Sequence, residues 1–261
     1  MRRRRARVLA LFFGWLWGWL FVGWLAAPAV AAAAELTVYS AGAVEAGLGP
    51  LMETFRRESG HTVRLTVAVP NLLRQRVEAG ETPDVLIAPV PVMDALARAG
   101  ALRDAPRETV GKVGVAVVVR AGARVPDVAT PETLRQALLD CESLVFNRAS
   151  TGTYFERVLD GMGIAAAVSA KTTRYPDGAA VVEHVMRGRG YEIGIGPVTE
   201  IRPYESKGIR LVGPLPAPIQ NYTTYVAGVL TKSAAPEPAA AFVRHITAPA
   251  ARAVFAATGV E

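Results

Sequence analysis

The chain has 261 residues, 51% of them hydrophobic, with 29 lysines and arginines against 23 aspartates and glutamates. Five of those arginines (Arg2, Arg3, Arg4, Arg5 and Arg7) and all 4 tryptophans lie before residue 35, so the remainder carries 24 basic against 23 acidic side chains. Such a near-neutral body excludes nucleic acid as a partner on charge grounds. The one cysteine, Cys141, excludes an internal disulfide and is read as a small apolar filler.

The first residues read as a targeting segment. MRRRRAR is a basic start, residues 8–25 (VLALFFGWLWGWLFVGWL) are unbroken apolar sequence, and AAPAVAAAA supplies small-x-small options ending at Ala32 and Ala34. That order predicts a signal peptide over 1–34, cleaved near Ala34, and so a periplasmic protein. The apolar run also has the length of an uncleaved anchor in the inner membrane, which stands as the alternative.

From Leu36 onward, strand-like runs alternate with helical ones. LTVYS predicts a strand, and Val44, Leu48, Leu51, Met52 and Phe55 then mark one face of a helix. TVRLTVAV is followed by a helix on Leu72, Leu73 and Val77, and DVLIAPV by the helix MDALARAG. VGKVGVAVVVRAG is continuously apolar, as a strand buried on both faces would be. A helix on Leu134, Leu138 and Leu139 precedes the strand SLVFN, and the next helix carries Tyr154, Phe155, Val158, Leu159 and Met162. A helix on Val181, Val182, Val185 and Met186 leads to the strand EIGIG; IRLVGPLPAP and NYTTYVAGVLTK add strands, and two alanine-rich helices finish the chain.

Repeated β–α units argue for parallel sheets covered by helices. Two such clusters, joined by long strands near 113–120 and 222–231, predict an α/β protein of two lobes with two crossover strands forming a hinge. The expected divisions are lobe 1 over 35–112, lobe 2 with the first hinge strand over 113–213, and the second hinge strand with a return to lobe 1 over 214–261. A single doubly wound domain is the alternative. Either way, ligands belong at the carboxyl ends of the strands, where helices begin.

The strand-to-helix turns there are SAGA (40–43), VPN (69–71), RASTGT (148–153) and PDGA (176–179). Helix capping explains small and hydroxylated residues at any one of them. Several helix starts sharing one crevice would do more, because unpaired amides and partial positive charge together make an anion site. The candidates are Ser40, Gly42, Ser150, Thr151, Gly152, Thr153, Asp177 and Gly178, with Gly152 admitting a ligand close to the backbone. Arg148, at a strand end, is a candidate partner for a carboxylate or oxyanion; Arg174 and Arg202 are weaker ones.

Chemistry is poorly supported. His61, His184 and His245 are scattered and read as packing or surface residues. The chain has no Gly-x-Ser-x-Gly, no His-Glu-x-x-His and no metal-ligand spacing, and RASTGT lacks the ending of a nucleotide-binding loop. GIGPVT is only part of a dinucleotide fingerprint. The expectation is a binding protein with no catalysis and no cofactor; an acid–base pair converging in the cleft would favour an enzyme instead.

The segments ELTVYSAGAVEAGLGPLMETFRRESGHTVRLTV, RQRVEAGETPDVLIAP, STGTYFERVLDGMGIA, IGIGPVTEI and LVGPLPAPIQNYTTYVAGVLTK resemble the solute-binding proteins of molybdate-type ABC importers, in a divergent branch. The resemblance covers residues 35–261. It implies the type II periplasmic binding-protein fold, a monomer that closes on a small anionic ligand, and delivery to an ABC permease in the inner membrane. It also implies side-chain donors at positions occupied here by Ala43, Pro70 and Pro197, none of which can supply one, although Ser40 and Asn71 are near. The ligand reading is a molybdate- or tungstate-like oxyanion, with a small organic carboxylate as the alternative and a membrane-tethered sensor ectodomain as a further one.

Overall fold

The computed structural model describes residues 33–261. All but the last two residues of the expected leader, 1–34, lie outside the described residues. Strand β1 (Glu35–Ser40) leads through a 3-10 turn at Gly42–Val44 into α1 (Glu45–Ser59). There follow β2 (Thr62–Val67), α2 (Pro70–Glu78), β3 (Val85–Pro89) and α3 (Val90–Arg98). Strand β4 (Glu108–Arg120) then passes to α4 (Pro131–Asp140), β5 (Ser143–Asn147), α5 (Ser150–Gly161) and α6 (Ala165–Ser169). Next come β6 (Thr172–Tyr175), α7 (Gly178–Arg187), β7 (Glu192–Pro197), α8 (Val198–Ile201) and β8 (Ile209–Pro214). Strand β9 (Tyr222–Val229) and helices α9 (Pro236–Thr247) and α10 (Pro249–Thr258) complete the chain.

The strands run in the order β2-β1-β3-β9-β4-β7-β5-β6, with β8 also on β4. Strand β4 belongs to both lobes. Residues Glu108–Gly114 pair with β9, and Val115–Val118 pair with β7. Its buried stretch Val115–Val119 explains the continuous apolar sequence, since a strand covered on both faces has no polar side. Strand β9, by contrast, pairs with β3 and the first half of β4 along its length. The second crossing therefore lies before it, in residues 215–221, rather than within 222–231. Gln220 fixes that crossing: its carboxamide accepts from the Val115 amide (3.1 Å) and donates to the Val115 carbonyl (2.9 Å). A side chain thus does there what a neighbouring strand would do.

Each lobe has its own core. Phe55, Phe242 and Phe255 are buried in the first with Leu36, Val38 and Leu48; Phe146 and Phe155 are buried in the second with Leu134, Leu138 and Leu144. Full burial of such side chains contributes about 1.5–3 kcal/mol each. Helices α9 and α10 return to the first core through Phe242, Ile246 and Phe255.

The return is pinned by one buried carboxylate. Asp84 accepts from the Thr37 amide (2.8 Å) and hydroxyl (2.9 Å), from the Ser233 hydroxyl (2.6 Å), and from the amides of Ala234 (3.1 Å) and Ala235 (3.3 Å). Burial alone would raise its pKa, but the hydrogen bonds from Ser233 and Thr37 outweigh it and hold the group below the usual carboxylate range. Asp84→Ala orphans these donors and is expected to cost about 3 kcal/mol at pH 7. A folded pKa held low means stability that is present above the unfolded pKa and disappears as pH falls through the folded one. Urea unfolding at pH 7 and pH 3 should therefore show the gap between variant and parent narrowing in acid.

Candidate functional site

Three helices begin at one place. Their first amides belong to Gly42 and Ala43 in the turn opening α1, Ser150 and Thr151 in α5, and Gly178 and Ala179 in α7. All six residues line a single cavity of about 210 Å³. The first amides of a helix have no partner within it, and no other described group takes these six in a hydrogen bond of normal geometry. Each helix start also contributes partial positive charge, so the cavity is built to favour negative charge.

The turns hold their shape through side chains that point away from the cavity or along its wall. Asn147 Oδ1 accepts from the amides of Ala149 (3.1 Å) and Gly152 (2.9 Å), which fixes the start of α5. Asp177 Oδ1 accepts from the Ala180 amide (2.9 Å) and caps α7. Gly152 does not lie on the cavity wall. Its amide is taken by Asn147, and a Cβ there would overlap the Asn147 backbone carbonyl, so the close approach it permits is to its own strand rather than to a ligand. Ser40 is likewise off the wall, with its hydroxyl donating to the Ala41 carbonyl (3.0 Å).

Of the other candidates, Ala43, Pro70, Asp177 and Pro197 line the cavity, and neither Ala43 nor the two prolines offers a donor from its side chain. Arg148, Asn71 and Thr153 line a neighbouring groove of about 820 Å³, together with Arg157. Cavity and groove share Val69, Pro70, Ala149 and Ser150 as a common sill. Arg174 is elsewhere, paired with Glu156, and Arg202 is exposed. The histidines serve packing: His61 accepts from the Ala34 amide, His184 meets the Tyr175 hydroxyl, and His245 lies against Phe55 and the Leu51 carbonyl.

Sequence reasoning missed the group at the centre. Glu200, on α8, carries its carboxyl into the cavity between the two lobes. A Cβ on Gly42 would stand 3.4 Å from Oε1, and a Cβ on Gly178 would overlap Oε2, so Gly178 is the residue that leaves the carboxyl room. Oε2 is enclosed and makes no hydrogen bond, although the Gly178 amide is close enough to pull its pKa down. Burial first, and then the neighbouring charges of Asp177 and Glu45, win over that pull and push the Glu200 carboxyl up to about 7. Tyr225, on β9, lines the same cavity; burial and the nearby Glu200 charge raise its phenol, which stays protonated. The one legible signal for Glu200 was a lone acid inside the apolar run IGIGPVTEI.

Among the described residues, the cavity lining thus contains three carboxyl groups, Glu45, Asp177 and Glu200, and no lysine, arginine or histidine. Near neutral pH, Glu200 either donates a proton to an anion held by the helix starts or, ionised, competes with that anion. Tyr225, which stays protonated, can donate to such an anion.

The model of the bacterial extracellular solute-binding protein family matches residues 36–261. An aconitate isomerase from a Pseudomonas species is 26% identical over 219 residues, 81% of each chain. Among solved structures, the periplasmic molybdate-binding protein of Azotobacter vinelandii superposes with a TM-score of 0.72 at 16% identity, over 87% of this chain and 98% of its own. The substrate-binding domain of a putative molybdenum ABC transporter from Clostridium difficile gives 0.68 at 16% identity, over 88% and 99%. These structures share the mixed α/β, type II binding-protein architecture expected from the sequence. With the family model spanning both lobes, the chain belongs to the bacterial extracellular solute-binding proteins.

Proposed function

We propose that the protein captures a small organic carboxylate for an ABC importer. It is exported to the periplasm with its leader cleaved near Ala34, and works as a monomer that hands its ligand to a permease. The observation that supports this reading is the meeting of six helix-start residues with the Glu200 carboxyl in one cavity. A carboxylate accepts from the amides and also from protonated Glu200, a short and strong O–H···O⁻ bond. A doubly charged oxyanion fits less well. The side-chain donors that would cage it are missing at Ala43, Pro70 and Pro197, and repulsion from an ionised Glu200 at about 4 Å amounts to roughly 4 kcal/mol per charge near a surface. The apolar walls of Ala41, Val67, Val69 and Ala149 suit a carbon skeleton.

The groove gives the ligand a second anchor. A dicarboxylate or tricarboxylate can place one end on the amides and another toward Arg148 and Arg157. Aconitate, named for the isomerase relative, is such a tricarboxylate. Calorimetric titration with aconitate, glutaconate and succinate, against molybdate, tungstate and sulfate, tests the reading. Micromolar binding of a carboxylate with weak or absent oxyanion binding supports it, and the reverse order refutes it. Arg148→Ala is expected to weaken a carboxylate that reaches the groove by about 2 kcal/mol or more, and to leave an anion confined to the cavity nearly unchanged.

A further inference from the structure

We propose that the cleft also moves a proton on its ligand: the Glu200 carboxyl transfers hydrogen between two carbons of a bound unsaturated polycarboxylate, shifting its double bond. This rests on the carboxylate reading above and names a substrate class and a reaction for the same cavity.

Three features of the site carry it. Glu200 lines the cavity with Oε2 enclosed against Gly178 and Oε1 beside Gly42; Oε1 has no hydrogen bond among the described residues, so the oxygen left to meet a C–H bond is not already occupied. The six amides of Gly42, Ala43, Ser150, Thr151, Gly178 and Ala179 surround the place where a ligand carboxylate gains charge when the adjacent carbon loses a proton. Such preformed donors are the main means of stabilising charge that develops in a transition state. Tyr225 faces the same space as a protonated phenol and adds a further donor.

The substrate needs a CH₂ group between a carboxylate and a carbon–carbon double bond. Ionised Glu200 takes a proton from that CH₂. The C–H electron pair becomes the new π bond, and the old π pair is displaced toward the far carbon and the carboxylate beside it. Glu200 then returns a proton to the far carbon. One proton leaves and one arrives, nothing is oxidised or reduced, and no other reactant is consumed. After the first half-step Glu200 is neutral and the substrate carries the added charge, the distribution that a buried carboxyl between Asp177 and Glu45 and a ring of amides favours. The pKa near 7 places the group in reach of both forms at neutral pH, as general acid–base work requires. The groups facing it are Asp177, Glu45, Tyr225 and the Gly178 amide.

The test uses the purified mature protein with aconitate and glutaconate in D₂O, followed by proton NMR, with calorimetry on the same samples. The expected result is loss of the CH₂ signal well above the rate without protein, and for aconitate the appearance of a second isomer. Glu200→Gln should bind within tenfold of the parent yet exchange at least a hundredfold more slowly. Glu200→Asp should recover part of the exchange, which a purely structural role would not require. Binding by the parent with neither exchange nor formation of a second aconitate isomer, or either process undiminished in Glu200→Gln, overturns the inference and leaves the binding reading intact. Failure of both carboxylates to bind removes the inference together with the reading beneath it.

Discussion

Glu200→Gln is expected to stabilise the unliganded protein by about 3 kcal/mol at pH 9 and to change little at pH 4. The Glu200 carboxyl is raised from 4.5 to about 7 in the fold. A pKa raised on folding means that its contribution is fully present below the unfolded value and is lost as pH rises through the folded one. Above pH 7 the parent must therefore hold an ionised carboxyl, enclosed and without a hydrogen bond, beside Asp177 and Glu45. Glutamine keeps the shape and never ionises. For a chain of this size the change corresponds to roughly 6–12 °C in melting temperature. Titrating groups that do not feel the Glu200 charge are common to both proteins and cancel in the difference. Equal melting curves for the two across this pH range would mean that Glu200 is solvated and not the buried acid described above.

Gly152→Ala is expected to be about as large in the other direction. The added Cβ would overlap the Asn147 carbonyl, a backbone atom that cannot swing aside. The start of α5 must shift, breaking the bond from the Gly152 amide to Asn147 Oδ1 and misaligning the amides of Ser150 and Thr151. Overpacking of this kind costs about 3 kcal/mol, and binding at the cavity should fall with it. Gly161→Ala is the control, since a Cβ at the other end of the same helix meets nothing within 4 Å. It should be neutral, or stabilising by up to about 1 kcal/mol. Guanidinium unfolding with calorimetry on both variants separates the packing effect from the general effect of a glycine substitution in α5.

These effects show which parts of the site a sequence displays. The β–α rhythm was legible because each element shows its buried face as a period, from Leu48, Leu51 and Phe55 on α1 to Val181, Val182 and Val185 on α7. Strand β6 was not, because Thr172–Tyr175 is a short strand at the edge of its sheet, with no residue fully buried and so no period to read. The second crossing was placed in β9 because a long apolar strand looks like a hinge. The structure puts it in the proline-rich stretch before, where the Gln220 side chain supplies the pairing that apolar pattern cannot reveal.

The turns that line the cavity were legible as strand-to-helix turns, Gly42, Ser150, Thr151 and Gly178 among them. What each turn faces was not visible. Gly152 looked like a ligand contact because glycine marks close approach, and the approach proves to be to Asn147. Glu200 and Tyr225 escaped because a single acid after a proline, or one tyrosine in a strand, carries no local pattern. Only the fold brings residue 200 against residues 42 and 178. That long-range meeting puts a carboxyl into the cavity that no local motif announces.

The measurement that tests the central claim most directly is the dissociation constant of the carboxylate that binds, followed from pH 6 to pH 8.5 for the parent and for Glu200→Gln. An anion seated against the helix starts favours protonated Glu200, so the parent should bind at constant strength below pH 7 and weaken toward tenfold per unit above it. Glu200→Gln should bind equally well at every pH. A parent curve that is flat across this range, or that tightens as pH rises, would contradict a cleft in which the Glu200 carboxyl meets the bound anion.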